Sequence, residues 1–202
     1  MYKRQRLFDA SGIRLAYTEN IEDTDQYSSD LIIPDGEGGL ILGYNHFINL
    51  EIGSSLRVAR MSAEGEVLWT NVVIHTNQTH GYYRYASISP DGEGGAFFSW
   101  LINEDEAPDG AGIYAQRINA DGELLWPIAN RVFLSLEDRM RYSPSCSHRP
   151  GELIIVAHDD DDFYLVHVDS SGRETLGQSG IFFYGGRYQV QIINIVAVDE
   201  FI

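Results

Sequence analysis

Apolar positions along the chain fall into short blocks, not into stripes with a helical period. "GGLILGY" (38–44), "AFFSW" (96–100) and "LIIVAH" (153–158) are rich in β-branched and aromatic residues and are bounded by Gly, Asp or Pro. Such blocks read as strands. They are nearly continuous apolar runs and not alternations, which predicts burial on both faces of a sheet. No segment combines helix caps with a 3.6-residue apolar period. The pattern predicts an all-β chain.

The blocks recur in phase. "RLFDASGIRL" (6–15), "RMSAEGEVLW" (60–69), "RINADGELLW" (117–126) and "HVDSSGRETL" (167–176) align on Gly12, Gly65, Gly122 and Gly172, at spacings of 53, 57 and 50 residues. Trp69 and Trp126 stand four positions past the glycine in two copies. A second motif keeps the same period: "PDGEGGLILGY" (34–44) matches "PDGEGGAFFSW" (90–100), and "RPGELIIVAH" (149–158) is a degenerate third copy. Each unit predicts four strands. In the best copy these are Tyr85–Ser89 (A), Gly95–Trp100 (B), Ile113–Asn119 (C) and Glu123–Trp126 running on toward Phe133 (D). Asp-Gly turns join A to B and C to D, since glycine accepts the positive φ of tight hairpins.

Four-stranded antiparallel units of this length, buried on both faces, fit the blades of a β-propeller. The expected organisation is a partial blade over 6–26 (strands C and D), complete blades over 27–81, 82–139 and 140–186, and a partial blade over 187–202 (strand A and the start of B). About three complete blades then form an open arc. Pairing of the two partial units into one more blade, closing a four-bladed ring, is the alternative. Residues 1–5, "MYKRQ", match the translation of a transposon-end sequencing adapter and are read as an artefact to be set aside from the fold; the alternative is that Gln5-Arg6 match Gln116-Arg117 of the repeat. The repeat-phased Trp69 and Trp126 are expected to fill space between blades, as structural residues rather than sugar platforms.

The stretch "PDGEGGAFFSW…IYAQRINADGELLW" resembles the propeller repeat of large secreted bacterial proteins, among them cargo of the type nine secretion system. Their pattern is D-G-x-G-G-(apolar)-W, then I-Y-A-Q-R, then G-(three residues)-W. The Gly-to-Trp spacing is also similar to that of quinoprotein-type propeller repeats. The resemblance implies a propeller fold, an extracellular or cell-surface location, and adhesive or carbohydrate-active modules nearby. It carries over no catalytic residue, because the repeat motif contains none. The fourth unit departs from it, with His158 where the strand-B Trp is expected.

Composition narrows the partners. The 202 residues carry 30 acidic and 14 basic side chains, a formal net charge of −16. Such a surface repels phosphate backbones, which argues against nucleic acid. No segment approaches the roughly 20 continuous apolar residues of a membrane helix, so no membrane insertion is expected. Cys146 is the single cysteine, which excludes an internal disulfide and a thiolate metal site.

Candidate chemistry concentrates on the longer B–C and D–A loops, which share one face of a propeller and are where a glycan or protein ligand is expected. Tyr27, Tyr83, Tyr142 and Tyr188 recur at the entrance to strand A, where their rings are candidate sugar-stacking surfaces. Asp159, Asp160, Asp161 and Asp162, with Glu104 and Asp105 one unit earlier, form two acidic loops. Hard cations take oxygen ligands, so calcium is the candidate cofactor there, although no D-x-D-x-D-G loop is present. The alternative is solvated surface. The "DGEGG" turns lack the Gly-Lys-Ser/Thr and helix of a phosphate cradle. The histidines show no metal-ligand spacing. Cys146 and His148, two apart on one strand, lack an identifiable orienting acid. Asn77-Gln78-Thr79 is a glycosylation sequon. The expectation is a non-catalytic extracellular module for binding or spacing. The alternative is a glycan-active enzyme using carboxylates among Asp159, Asp160, Glu104 and Asp105. A redox quinoprotein would need a cofactor cage that the sequence does not contain.

Overall fold

A computed structural model describes the backbone of residues 5–8, 14–18, 31–49, 53–76, 84–102, 112–126, 130–134, 140–159, 162–176 and 181–185. Side chains are described over 31–44, 55–73, 87–101, 112–126, 150–156 and 163–176. Every regular element among these residues is a β-strand, and every strand pairing is antiparallel. The all-β expectation holds. The chain divides into two compact units, Met1–Tyr82 with Asp121–Glu123, and Tyr83–Ala120 with Leu124–Ile202.

In the first unit the repeat segment 6–15 spans a hairpin of β1 (Gln5–Phe8) and β2 (Arg14–Thr18). A four-stranded meander follows: β3 (Leu31–Pro34), β4 (Leu40–Asn49), β5 (Gly53–Met61) and β6 (Val67–Thr76), paired in chain order. Leu42 lies opposite Ala59, and these two pack with Tyr44, Met61 and Leu40 on one face. Ile41, Leu56 and Val58 are fully buried on the other. The β5–β6 turn is held by Ser62, whose hydroxyl accepts the amides of Glu64 and Glu66 and whose carbonyl accepts that of Gly65. Gly65 sits at φ +87°, a conformation a side chain resists.

The second unit contains two such meanders. One is β7 (Arg84–Pro90), β8 (Ala96–Ile102), β9 (Gly112–Ile118) and β10 (Asn130–Leu134). The other is β11 (Met140–Arg149), β12 (Glu152–Asp159), β13 (Asp162–Val168) and β14 (Ile181–Gly185). They face each other across one core, with Phe97, Leu101, Ile113, Ala115 and Trp126 from the first and Leu153, Ile155, Val166 and Val168 from the second. The first sheet is buried on its far side as well. Ala96, Phe98 and Trp100 have no exposed surface, Trp100 stacks on Tyr114 at 6.4 Å, and all seven residues of β9 are buried. This two-sided burial is why "AFFSW" does not alternate.

Strand D departs from expectation. Among the described residues between Gly122 and β10, which begins at Asn130, only Leu124 bridges back to strand C, at Ile118. The Gln116 side chain explains the break. Its amide donates to the Trp126 carbonyl at 3.0 Å and its oxygen accepts the Trp126 amide at 3.2 Å. A side chain thus replaces the ladder partner. In the first unit the matching position is Ala59, and there β6 continues through Trp69, which pairs with Arg60.

Candidate functional site

The best-defined polar constellation is built twice from the repeat. In the first unit the Asp35 carboxylate closes the β3–β4 turn. Its Oδ1 accepts the amides of Glu37 at 2.9 Å and Gly39 at 2.8 Å, while Oδ2 accepts Arg60 Nε at 2.9 Å. Arg60 reaches on to Glu37, Nη2 to Oε2 at 2.7 Å. In the second unit Asp91 Oδ1 accepts the amides of Glu93 and Gly95, both at 2.8 Å. Its Oδ2 accepts Arg117 Nε at 3.0 Å and Nη2 at 2.8 Å, and Nη2 also donates to Glu93 at 2.6 Å. The Arg117 guanidinium lies 5.5 Å from the Phe97 ring centre. Each clamp therefore joins an A–B turn to the end of strand C.

The glycines of "DGEGG" have separate duties. A Cβ at Gly39 would lie 2.1 Å from the Met61 carbonyl oxygen, and one at Gly95 would lie 2.1 Å from that of Ile118. Strand C passes too close for any side chain. The turn of the β11–β12 hairpin stacks on the Asp91 turn: the Gly151 amide donates to the Asp91 carbonyl at 2.8 Å, and a Cβ at Gly92 would touch Pro150.

Electrostatics fix the charge state of the first clamp. Burial alone pushes the Asp35 carboxyl up. The bonds from the Glu37 amide, Arg60 and the Gly39 amide, with the Arg60 charge, outweigh it and hold the carboxyl below its ordinary value. Burial likewise works against the Arg60 cation, and its bonds to Asp35 and Glu37 raise its pKa in spite of that. The clamp is an ion pair at neutral pH. The Asp91 carboxylate spends all four of its lone-pair positions on these partners, so it has none left for a metal or a substrate. The chemistry of the clamps is structural.

The third copy substitutes a different set. At the position of Arg60 and Arg117 stands His167, with Nε2 3.2 Å from Glu152 Oε2 and Nδ1 2.7 Å from Thr175 Oγ1. Its C–D turn is closed by Asp169, whose Oδ1 accepts the Ser171 hydroxyl and the amides of Ser171 and Arg173. The Ser171 hydroxyl bond comes first among the causes that keep the Asp169 carboxyl below its ordinary value, against the opposing effect of burial.

The sequence-derived candidates distribute as follows. Gly65, Gly122 and Gly172 occupy positive-φ turns at +87°, +86° and +86°. Gly12 lies outside the described residues. Trp126 is 2% exposed, sits 5.7 Å from Phe97 and donates its indole N–H to the Ser170 carbonyl, so its ring has no face open to a sugar. Within the first unit Trp69 lies beside Gly122, where a Cβ would meet its ring at 2.7 Å. Tyr142 is in β11 opposite Ala157, and Asp159 and Asp162 pair across the β12–β13 hairpin. Tyr27, Tyr83, Tyr188, Glu104, Asp105, Asp160 and Asp161 lie outside the described residues. Among the described residues no three His, Cys, Asp or Glu side chains converge as metal ligands, and no helix is long and apolar enough to cross a membrane. The clamps are the feature not singled out from the sequence. Their signal was present, because Arg60 and Arg117 recur in phase with "PDGEGG" and the third copy loses both together.

No protein-family model matches the chain, and no curated protein matches it in sequence.

Proposed function

We propose that the chain belongs to a non-catalytic β-propeller that serves as a binding or spacing module of a larger secreted or surface-exposed bacterial protein. One observation carries the reading. Two consecutive four-stranded meanders pack face to face, with Trp126 of one seated against Phe97 and hydrogen-bonded to Ser170 in the C–D turn of the next. Blades of a propeller are joined in this way, and the repeat motif resembles those of large secreted bacterial proteins. The buried carboxylates of Asp35 and Asp91 are consumed by the fold, which supports a scaffold rather than a catalyst.

Three measurements test it. A crystal structure is expected to arrange the sheets radially about an axis, and a flat two-layer sandwich would contradict the propeller. Incubation of the purified protein with a panel of polysaccharides is expected to release no new reducing or unsaturated ends above a heat-denatured control. Time-dependent release proportional to protein concentration would overturn the non-catalytic reading. A glycan array in parallel separates a binding module, which retains ligands, from a spacer, which retains none.

A further inference from the structure

The chain contains four Asp–Gly pairs, Asp35–Gly36, Asp91–Gly92, Asp109–Gly110 and Asp121–Gly122, of which the third lies outside the described residues. An Asp–Gly bond has an intrinsic reaction. Glycine has no side chain to block its backbone nitrogen from attacking the aspartate Cγ. The N–Cγ bond forms and one Cγ–O bond breaks: the departing oxygen takes the amide proton and a second proton, drawn by the carboxylate from solvent, and leaves as water as a five-membered succinimide closes. Water then adds to one of the two ring carbonyls. Opening at the Cγ carbonyl restores aspartate. Opening at the main-chain carbonyl leaves the chain running through Cβ and Cγ as isoaspartate. Nothing is oxidised or reduced, and water is the only other reactant.

The three described pairs share this chemistry but not their surroundings. Asp35 and Asp91 are 5% and 0% exposed, and both oxygens of each are held by turn amides and an arginine. Attack at Cγ requires the carboxyl to rotate out of those bonds and one oxygen to leave as water from a buried site. Asp121 is exposed at the tip of a C–D turn. We propose that Asp121–Gly122 is a site of spontaneous isoaspartate conversion in this protein, and that the arginine clamps shield Asp35–Gly36 and Asp91–Gly92 from the same reaction.

Conversion has a structural consequence in the first unit. The Gly122 carbonyl accepts the Asn71 side-chain amide at 2.6 Å, and a Cβ at Gly122 would meet the Trp69 ring at 2.7 Å. The additional backbone methylene of isoaspartate moves that carbonyl away from Asn71. The freed α-carboxylate is the group that S-adenosylmethionine-dependent isoaspartyl methyltransferases esterify, which provides a chemical probe.

The experiment ages the intact folded chain at neutral pH below its melting midpoint, beside a second sample unfolded in urea. Isoaspartate is quantified at each pair by peptide mapping and by enzymatic methyl transfer. In the folded chain Asp121 is expected to convert more than about tenfold faster than Asp35 or Asp91, a factor equal to about 1.4 kcal/mol of protection. In urea the three rates are expected to converge within a few-fold. Asp121→Glu, which cannot close the five-membered ring, is expected to remove the signal from that peptide alone. Equal rates at the three pairs in the folded chain would overturn the shielding. Conversion of Asp121 in urea but not in the folded chain would overturn the site.

Discussion

Asp91 holds Arg117 through two bonds to one carboxylate oxygen, 3.0 Å from Nε and 2.8 Å from Nη2, with the two side chains only 1% and 6% exposed. Removing one member of a buried pair leaves the other charge without compensation, which typically costs about 3–5 kcal/mol. Arg117→Leu is expected to fall in that range by urea unfolding. Arg117→Leu combined with Asp91→Ala should cost less than the sum of the two single changes. Glu93 is 58% exposed at the same guanidinium, and Glu93→Gln is expected to stay within about 1 kcal/mol. An unchanged midpoint for Arg117→Leu would show that the clamp contributes nothing to stability.

The first clamp carries a pH dependence. Asp35 has its pKa lowered below 3.8 in the folded chain, so the folded state prefers the ionised form more strongly than the unfolded state does. Its contribution is therefore complete above the ordinary carboxylate pKa and is lost as pH falls through the folded value. Asp35→Asn is expected to destabilise the protein at pH 7 and to cost progressively less below about pH 4. Chemical unfolding of both forms at a series of pH values reads this directly. A pH-independent gap between them would contradict it.

Neighbouring glycines of one turn should respond very differently to alanine. Gly36 has φ +84° but open space around its missing side chain, so Gly36→Ala bears only the cost of a left-handed residue, about 1–2 kcal/mol. Gly39 lacks the unusual φ but faces the Met61 carbonyl, and Gly39→Ala must push strand C away, at about 3 kcal/mol or more. Thermal melts of the two variants give the order. A larger loss for Gly36→Ala would mean that strand C yields easily.

The sequence made the strands and tight turns legible because local chemistry decides them. Asp-Gly and Ser-x-x-Gly turns close on their own side chains, and blocks such as "AFFSW" advertise two-sided burial. The interruption of strand D was not legible. It depends on Gln116, ten residues away from Trp126, competing with the ladder for backbone groups. The clamps were half legible. The in-phase recurrence of Arg60 and Arg117 was visible, but their partnership with Asp35 and Asp91 spans about 25 residues and emerges only when strands A, B and C lie side by side. The candidate ligand residues could not be read in the same manner. Tyr27, Glu104 and Asp160 fall in stretches of sequence with no local turn code to place them, and they lie outside the described residues.

Gln116 and Trp126 supply the last prediction, because together they test what terminates strand D. Gln116→Ala removes both bonds to the Trp126 backbone at once. It leaves an N–H and a C=O beside a side chain only 2% exposed, and an unsatisfied buried polar group costs about 1–3 kcal/mol. The Trp126 amide is expected to exchange with solvent much faster in this variant than in the unaltered chain. Trp126→Phe makes the complementary change. It retains most of the packing against Phe97 but loses the indole bond to the Ser170 carbonyl, at about 1 kcal/mol beyond the lost area. Its effect on exchange should appear at the Ser170 turn and not at residue 126. If Gln116→Ala leaves the Trp126 amide as protected as before, then something other than the glutamine holds the chain at this point.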